Sequence, residues 1–306
     1  MVVSIFPGRS SLQAVFAGLA TGFIWVSVAT ASSDYSLFNP VPADRLRPLN
    51  TDRPDLTESP FMIDAGHFQV ETDLANYTRD RDKSGGADIS TDAWSFAAMN
   101  LKADLAPDTD VQVVIGTYNQ VLIKDRVTGV VTRQDGFGDV TVRGKHNFRG
   151  NDGGTTAFGI MPFVKFPTSQ DGVGNHSVEG GVILPLAVSL PGGWDFGAMT
   201  EVDCLRDERG SGSHAAFVNT ITAGHGIVGE LAGYVKFYSE ISAEPGTDWI
   251  GLADFGLTYG IGENTQFDGG VNIGVTQRRS RLESVRGRGP VVLRTSLIFN
   301  HHVILA

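Results

Sequence analysis

Residues 249–277 read WIGLADFGLTYGIGENTQFDGGVNIGVTQ, and apolar side chains occupy alternate positions in two runs joined by a short polar turn at 262–264. In the first run, Phe255 and Leu257 share one parity, whereas Asp254 belongs to the other. Successive side chains of a strand point to opposite faces. The stretch is therefore predicted to form an antiparallel hairpin with one apolar and one polar face.

The same alternation recurs from about residue 66 to the end of the chain and predicts about twelve strands. Short turns follow the even-numbered strands, and longer loops follow the odd-numbered ones, including a polar loop over 124–135. Bacterial outer-membrane barrels combine an even strand number with short periplasmic turns and longer extracellular loops. We therefore predict that residues 66–306 form an all-β, transmembrane, antiparallel up-and-down β-barrel. A parity switch near Ala98 indicates a β-bulge in the second strand.

The first 65 residues have a different character. Residues 1–31 contain one basic residue, Arg9, then an apolar run and the exit Ala29-Thr30-Ala31, which is typical of a cleaved signal peptide. A retained N-terminal anchor is the alternative, because the run is close to spanning length. Residues 32–65 are aperiodic and contain five prolines. They are predicted to be an extended periplasmic leader that caps the barrel mouth, or a plug segment inside the lumen.

Composition excludes several other classes of protein. The formal net charge is −10, which is unfavourable for a nucleic-acid partner. Cys204 is the single cysteine, so a small secreted domain held by disulfides is excluded. The histidines show no metal-ligand spacing, and no G-x-S-x-G motif occurs. We predict no catalytic residue, cofactor or metal, and a protein that is not an enzyme. A barrel enzyme acting on lipid and a structural or adhesive barrel remain alternatives.

Charged side chains occupy those alternate strand positions that would face the interior of the barrel. This arrangement predicts either a wet, mildly acidic lumen that passes small solutes, or a packed interior whose paired charges only stabilise the barrel. The candidate lumen-lining residues are Glu71, Asp73, Lys102, Asp104, Arg143, Lys145, Glu201, Asp203, Lys236, Asp254, Asp268 and Arg294.

Two further charged segments have candidate roles. If residues 32–65 enter the lumen, Asp52, Arg53, Asp55 and Glu58 are the candidates to pair with wall charges as a gate or plug. An arginine-rich loop over 278–289 is either a solvated loop or a site for lipopolysaccharide phosphates. Outer-membrane lipid, a small-molecule solute and the barrel-assembly machinery are the other expected partners.

Two segments of the chain, the first of them in two parts, resemble a known family. Residues 51–60 (TDRPDLTESP), 66–71 (GHFQVE) and 136–142 (GFGDVTV) are similar to segments of the outer-membrane transporter family named for the meta-pathway of phenol degradation. The resemblance implies a bacterial outer-membrane channel for aromatic or other hydrophobic compounds that diffuse passively. Outer-membrane barrels usually end on an aromatic residue that the assembly machinery reads, whereas Phe299 is the last aromatic of this chain.

Overall fold

The computed structural model describes residues 35–52, 56–170, 172–207, 211–276 and 291–301, with the backbone alone described for residue 84 and for the last range. The predicted signal peptide, Arg53, Asp55 and the arginine-rich loop lie outside these residues. Within the described part of the chain, no helix is long and apolar enough to cross a membrane.

The described residues form fifteen strands of one antiparallel sheet. Their bounds are β1 Phe68–Asp82, β2 Ile89–Phe96, β3 Met99–Ala106, β4 Thr109–Ile115, β5 Tyr118–Asp125, β6 Val131–Gly136, β7 Val140–Arg149, β8 Thr156–Phe166, β9 Glu179–Leu190, β10 Trp194–Arg206, β11 Ser213–Val228, β12 Leu231–Ser242, β13 Ile250–Ile261, β14 Thr265–Gly274 and β15 Val291–His301.

The sheet closes on itself, because β15 pairs antiparallel with β1 as well as with β14. The closed ring runs through β1, β3, β4 and β7, and then in chain order from β8 to β15. These are twelve strand positions, so the predicted transmembrane antiparallel β-barrel of about twelve strands is confirmed. Closure leaves no free edge in the ring, and this satisfies the backbone hydrogen bonds that a hydrocarbon environment cannot.

The remaining strands, β2, β5 and β6, continue β3, β4 and β7 beyond short interruptions. Thr72 faces Met99 on β3, and three residues later Ala75 faces Phe96 on β2, so the register is unchanged across the break. Ala97 has a positive φ of 51° at this point, close to the predicted bulge near Ala98.

The prediction of a loop over 124–135 is wrong for residues 124–125, which end β5, and for residues 131–135, which belong to β6 and pair with β5. The residues of β6 are mostly exposed to solvent. A strand with water on both faces needs no alternation of apolar and polar residues, which explains why the sequence pattern did not reveal it.

Link lengths follow the predicted asymmetry. The links after β3, β9, β11 and β13 are confined to 107–108, 191–193, 229–230 and 262–264, whereas those after β8 and β14 occupy 167–178 and 275–290. Residues 150–155, after β7, lie at the same end as the other short links. By the rule for outer-membrane barrels, the short-turn end is periplasmic and the long-loop end is extracellular.

Burial is inverted relative to a soluble protein. Large apolar side chains on the outer face are exposed, for example Phe217, Phe237 and Phe255, whereas charged side chains on the other face are buried. Trp94 and Trp249 lie near the long-loop ends, and Trp194 and Tyr259 lie near the short-turn ends, all of them exposed. This arrangement matches an apolar band flanked by two aromatic girdles.

Candidate functional site: the lumen and the N-terminal segment

Most of the charged residues predicted for the interior are buried on the lumen face. The buried ones are Glu71, Asp73, Lys102, Asp104, Lys145, Asp203, Lys236, Asp254 and Asp268. Arg143 and Glu201 are half-buried. The side chain of Arg294 lies outside the described part of the structure, although its backbone pairs with Asn76 and Gly270.

Asp52 of the N-terminal segment lies among these wall residues. Its carboxylate oxygens are 2.5 Å from Lys102 Nζ and 2.6 Å from Lys145 Nζ. Lys102 also pairs with Glu71, at 2.5 Å, and the Asp52 backbone N–H donates to the same Glu71 carboxylate at 3.0 Å. The two acids and two lysines form a cluster of zero net formal charge, which is the arrangement that makes burial of four ions tolerable. We call these four residues the lysine–carboxylate cluster.

The electrostatics of Asp52 follow from this environment. Burial alone would raise the pKa of Asp52, but Lys102 and Lys145 outweigh that effect and hold its pKa well below the usual range of an aspartate. Asp52 therefore stays ionised while the segment is bound in this position. Protonation of Asp52 would remove its attraction to both lysines, so acid weakens the contact only below the ordinary aspartate range.

The next residues of the segment cross to other strands of the barrel. Arg143 on β7 donates to Glu58 at 2.6 Å, and Thr220 on β11 donates to Thr57 at 2.8 Å. Burial raises the pKa of Glu58, and Arg143 offsets that effect only in part. Asn147 on β7 donates to the carbonyl of Pro60 at 2.7 Å. The segment thus contacts inward-facing side chains on two separated parts of the wall.

Contacts at the short-turn end fix the base of the segment. Arg47 donates through Nε to Asp64 at 2.8 Å and makes an ion pair with Asp152 in the link between β7 and β8. Gly66 has φ of +81°, and a Cβ at this position would lie 2.6 Å from the Cβ of Pro40. Both the backbone conformation and the close approach therefore require glycine at this position, two residues before β1 begins.

One sector of the lumen wall is apolar, which the alternation of charged residues did not predict. Leu56 of the N-terminal segment and Phe163 pack against this sector. We call the sector the apolar wall cluster, and its buried members are Met161, Ile183, Met199, Val218, Tyr238, Ile250 and Leu252.

A further ion pair, between two wall residues, lies beside this sector. Lys236 on β12 and Asp254 on β13 are 2.5 Å apart, face each other in the strand register, and have almost fully buried side chains. The lumen therefore presents charged pairs next to apolar surface and is not uniformly polar.

Sequence reasoning missed several polar partners. Gln112 on β4 donates to Asp52 at 3.3 Å, and Gln69 on β1 donates to the carbonyl of Asn50 at 3.1 Å. Both glutamines have inward parity, so the alternation would have found them if uncharged polar residues had been included. Arg47 lies in an aperiodic stretch, where no sequence signal indicates its contacts.

These observations define the class of protein as a transmembrane β-barrel with a partly charged lumen and a chain segment within it. The family model described as "Putative MetA-pathway of phenol degradation" matches residues 51–284, and the chain belongs to this family. The resemblance predicted from the two segments is thereby confirmed. No curated protein sequence matches the chain.

Similar solved structures are also outer-membrane barrels. The COG4313 outer membrane channel from Pseudomonas putida F1 has a TM-score of 0.56 and 11% identity, and the match covers 82% of this chain and 100% of that one. The NanC porin has a TM-score of 0.47 at 11% identity, and the match covers 74% of this chain and 98% of that one. At these identities the likeness establishes the fold alone.

Proposed function

We propose that this protein is a passive channel of the bacterial outer membrane for small aromatic or other hydrophobic compounds, and that residues 32–65 plug its lumen. The observation that carries the proposal is the position of Asp52, buried between Lys102 and Lys145 of the barrel wall. A leader that only capped the barrel mouth would not place a carboxylate among inward-facing lysines.

The plug gates the channel. With the segment bound, the wall residues Glu71 and Lys145 are almost fully buried, so no wide aqueous path passes along this side of the lumen. Solute passage then requires the segment to move away from the wall. The cluster favours the closed state, because withdrawing Asp52 removes the carboxylate that pairs with both Lys102 and Lys145.

The apolar wall cluster explains the class of solute. Leu56 of the plug covers part of this sector, so displacement of the plug uncovers apolar surface inside the lumen. Methionine side chains such as Met161 and Met199 adapt to different shapes and make favourable contacts with aromatic rings. A phenol-sized molecule gains from such surface, whereas a sugar of similar size does not. The family description, which refers to phenol degradation, and the channel title of the P. putida relative agree with this function.

The expected partners follow from the outward faces. The exposed apolar band contacts outer-membrane lipid, and the arginines of the sequence 278–289 are suited by their chemistry to bind lipopolysaccharide phosphates. The barrel-assembly machinery is required for insertion of the strands.

Liposome swelling with a panel of phenols, fatty acids and sugars tests the proposed function. We expect swelling with phenols to exceed swelling with sugars, and removal of residues 32–60 to increase both. Lipid turnover without swelling would support the alternative of a barrel enzyme acting on lipid. Neither swelling nor turnover, with or without the segment, would indicate a structural or adhesive barrel.

A further inference from the structure

Three metal-ligating side chains converge at the long-loop end of the barrel, away from the plug. Asp207 follows β10, His214 lies near the start of β11, and Glu244 follows β12. His214 Nδ1 is 3.0 Å from Asp207 Oδ1 and 4.0 Å from Glu244 Oε2, and the three ligand atoms all lie within 4.8 Å of one another. We propose that these three residues bind a divalent transition-metal ion, such as Zn²⁺, at the extracellular rim of the lumen.

The local backbone holds the three ligands in place. The Asp207 backbone N–H donates to the carbonyl of Gly212 at 3.0 Å, and a Cβ on Gly212 would collide with the Asp207 carboxylate. The loop carrying Glu244 is fixed to the neighbouring strand, because the N–H of Ala243 donates to the carbonyl of Ala215 at 2.8 Å. The ligands therefore come from three segments with defined positions.

The chemistry of the three side chains suits a divalent ion. Neutral imidazole supplies a lone pair through Nδ1, and the carboxylates of Asp207 and Glu244 supply anionic oxygens. The three side chains are only 11–16% exposed, so their attraction for a cation is screened less than it would be in bulk water.

The donor set also selects the kind of metal. Ligand distances of about 2.0–2.2 Å from one centre place neighbouring ligand atoms roughly 3–4 Å apart, close to the spacing observed here. Imidazole with carboxylates suits zinc and similar ions, whereas calcium and magnesium prefer oxygen ligands alone. Three protein ligands leave a fourth position for water or for another group at the lumen entrance.

The sequence did not indicate this site, because its residues lie on three different segments and show no motif spacing. The strand register brings them together: Leu205 faces His214 across β10 and β11, and Ala216 faces Ser242 across β11 and β12. Positions 214, 242 and 244 then share the inward parity. The site is therefore a property of the closed barrel.

Metal titration of the refolded, chelator-treated full barrel in detergent tests the proposal. We expect calorimetry to show one Zn²⁺ ion bound per chain. We expect bound Co²⁺ to give a d–d absorption band whose intensity falls when Zn²⁺ is added. Asp207→Asn and His214→Gln should each weaken Zn²⁺ binding by at least roughly tenfold. Loss of a residue that only supports a metal ligand already costs about tenfold in affinity, and loss of a ligand should cost no less. His146→Gln is the matched control and should leave the metal affinity unchanged, because His146 Nδ1 contacts Thr109 at the short-turn end.

The fold of each variant is checked by its heat-dependent mobility on denaturing gels, so that loss of binding is separated from loss of the barrel. Equal Zn²⁺ affinity in the wild type and in both folded ligand variants would overturn the proposal. Preferential binding of Ca²⁺ that survives His214→Gln would also overturn it, because such a site would not use the imidazole. A folded wild-type barrel that binds neither Zn²⁺ nor Co²⁺ would overturn it as well.

Discussion

At the scale of single residues, Asp52 joins the proposed plug to two buried lysines of the barrel wall. Asp52→Asn removes the carboxylate that pairs with both buried lysines, Lys102 and Lys145. Breaking a buried ion pair from one side costs about 3–5 kcal/mol, and at about 1.4 kcal/mol per tenfold this shifts the opening equilibrium by roughly 10²- to 10⁴-fold. We expect a large increase in open probability in planar bilayers.

A double substitution separates the charge effect from simple loss of contact. Asp52→Asn with Lys145→Met restores zero net formal charge among the remaining members of the cluster, so part of the closed population should return. Asp88→Asn is the matched control, because Asp88 pairs with Arg81 in an exposed position outside the lumen and should leave gating unchanged. Equal open probability in the single and double variants would contradict an electrostatic role.

The low pKa of Asp52 sets the pH dependence that the proposed gating should show. A carboxylate whose pKa is lower in the bound state stabilises that state above the ordinary aspartate value, near 3.9. This stabilisation is lost as the pH falls through the lowered pKa. Asp52 itself should therefore keep the plug bound at neutral and mildly acidic pH and release it only in stronger acid. Conductance recorded from pH 7 downward checks this expectation. If the wild type opened in a step centred near pH 6, and Asp52→Asn showed the same step, Asp52 would be excluded as its cause.

The proposed link between solute preference and the apolar wall cluster can be tested with an isosteric substitution. Val218→Thr keeps the side-chain volume and adds a hydroxyl to buried apolar surface. We expect the swelling rate with phenols to fall relative to that with sugars, by a few-fold. Val235→Thr is the control, since Val235 is exposed on the outer face. If the ratio of phenol to sugar swelling rates changed equally in both variants, the apolar wall cluster would not be the cause of the solute preference.

At the scale of elements, the proposed plug is one segment of the chain, so removing it should have a larger effect than any single substitution. Deletion of residues 32–60 leaves the closed ring of strands intact, because β1 begins at Phe68 and pairs with β3 and β15 without it. Single-channel conductance should rise, and the rise should exceed that of Asp52→Asn. An unchanged conductance in a folded deletion variant would mean that the segment does not obstruct the path.

Strands could be predicted from the sequence, whereas the path of the plug could not. Alternation is a local property, and Asp254 with Phe255 already indicates which face of β13 meets water and which meets lipid. The contact between Asp52 and Lys145 joins positions 93 residues apart, and nothing near Asp52 encodes it. The apolar wall cluster was missed for another reason: Ile183 and Leu252 lie on strands whose outward positions are also apolar, so these strands do not alternate cleanly.

At the scale of the whole molecule, the outer face of the barrel is apolar and the inner face is charged. The cost of placing a charge on the outer face should therefore depend on how deep that position lies in the membrane. Phe255 lies at the middle of β13 and is exposed on the outer face, whereas Tyr259 is equally exposed but lies near the short-turn end. An arginine on the lipid face of a barrel costs about 2–4 kcal/mol at the bilayer midplane and about 0–1 kcal/mol near the interface. Phe255→Arg should therefore lower the free energy of unfolding in liposomes far more than Tyr259→Arg. On a surface facing water, both changes would be nearly neutral, so the difference between the two variants reports directly that hydrocarbon surrounds the barrel. Equal and small losses, measured by denaturant titration of the liposome-embedded protein, would contradict the assignment of the outer face to lipid, and the gating and solute proposals would lose their common basis.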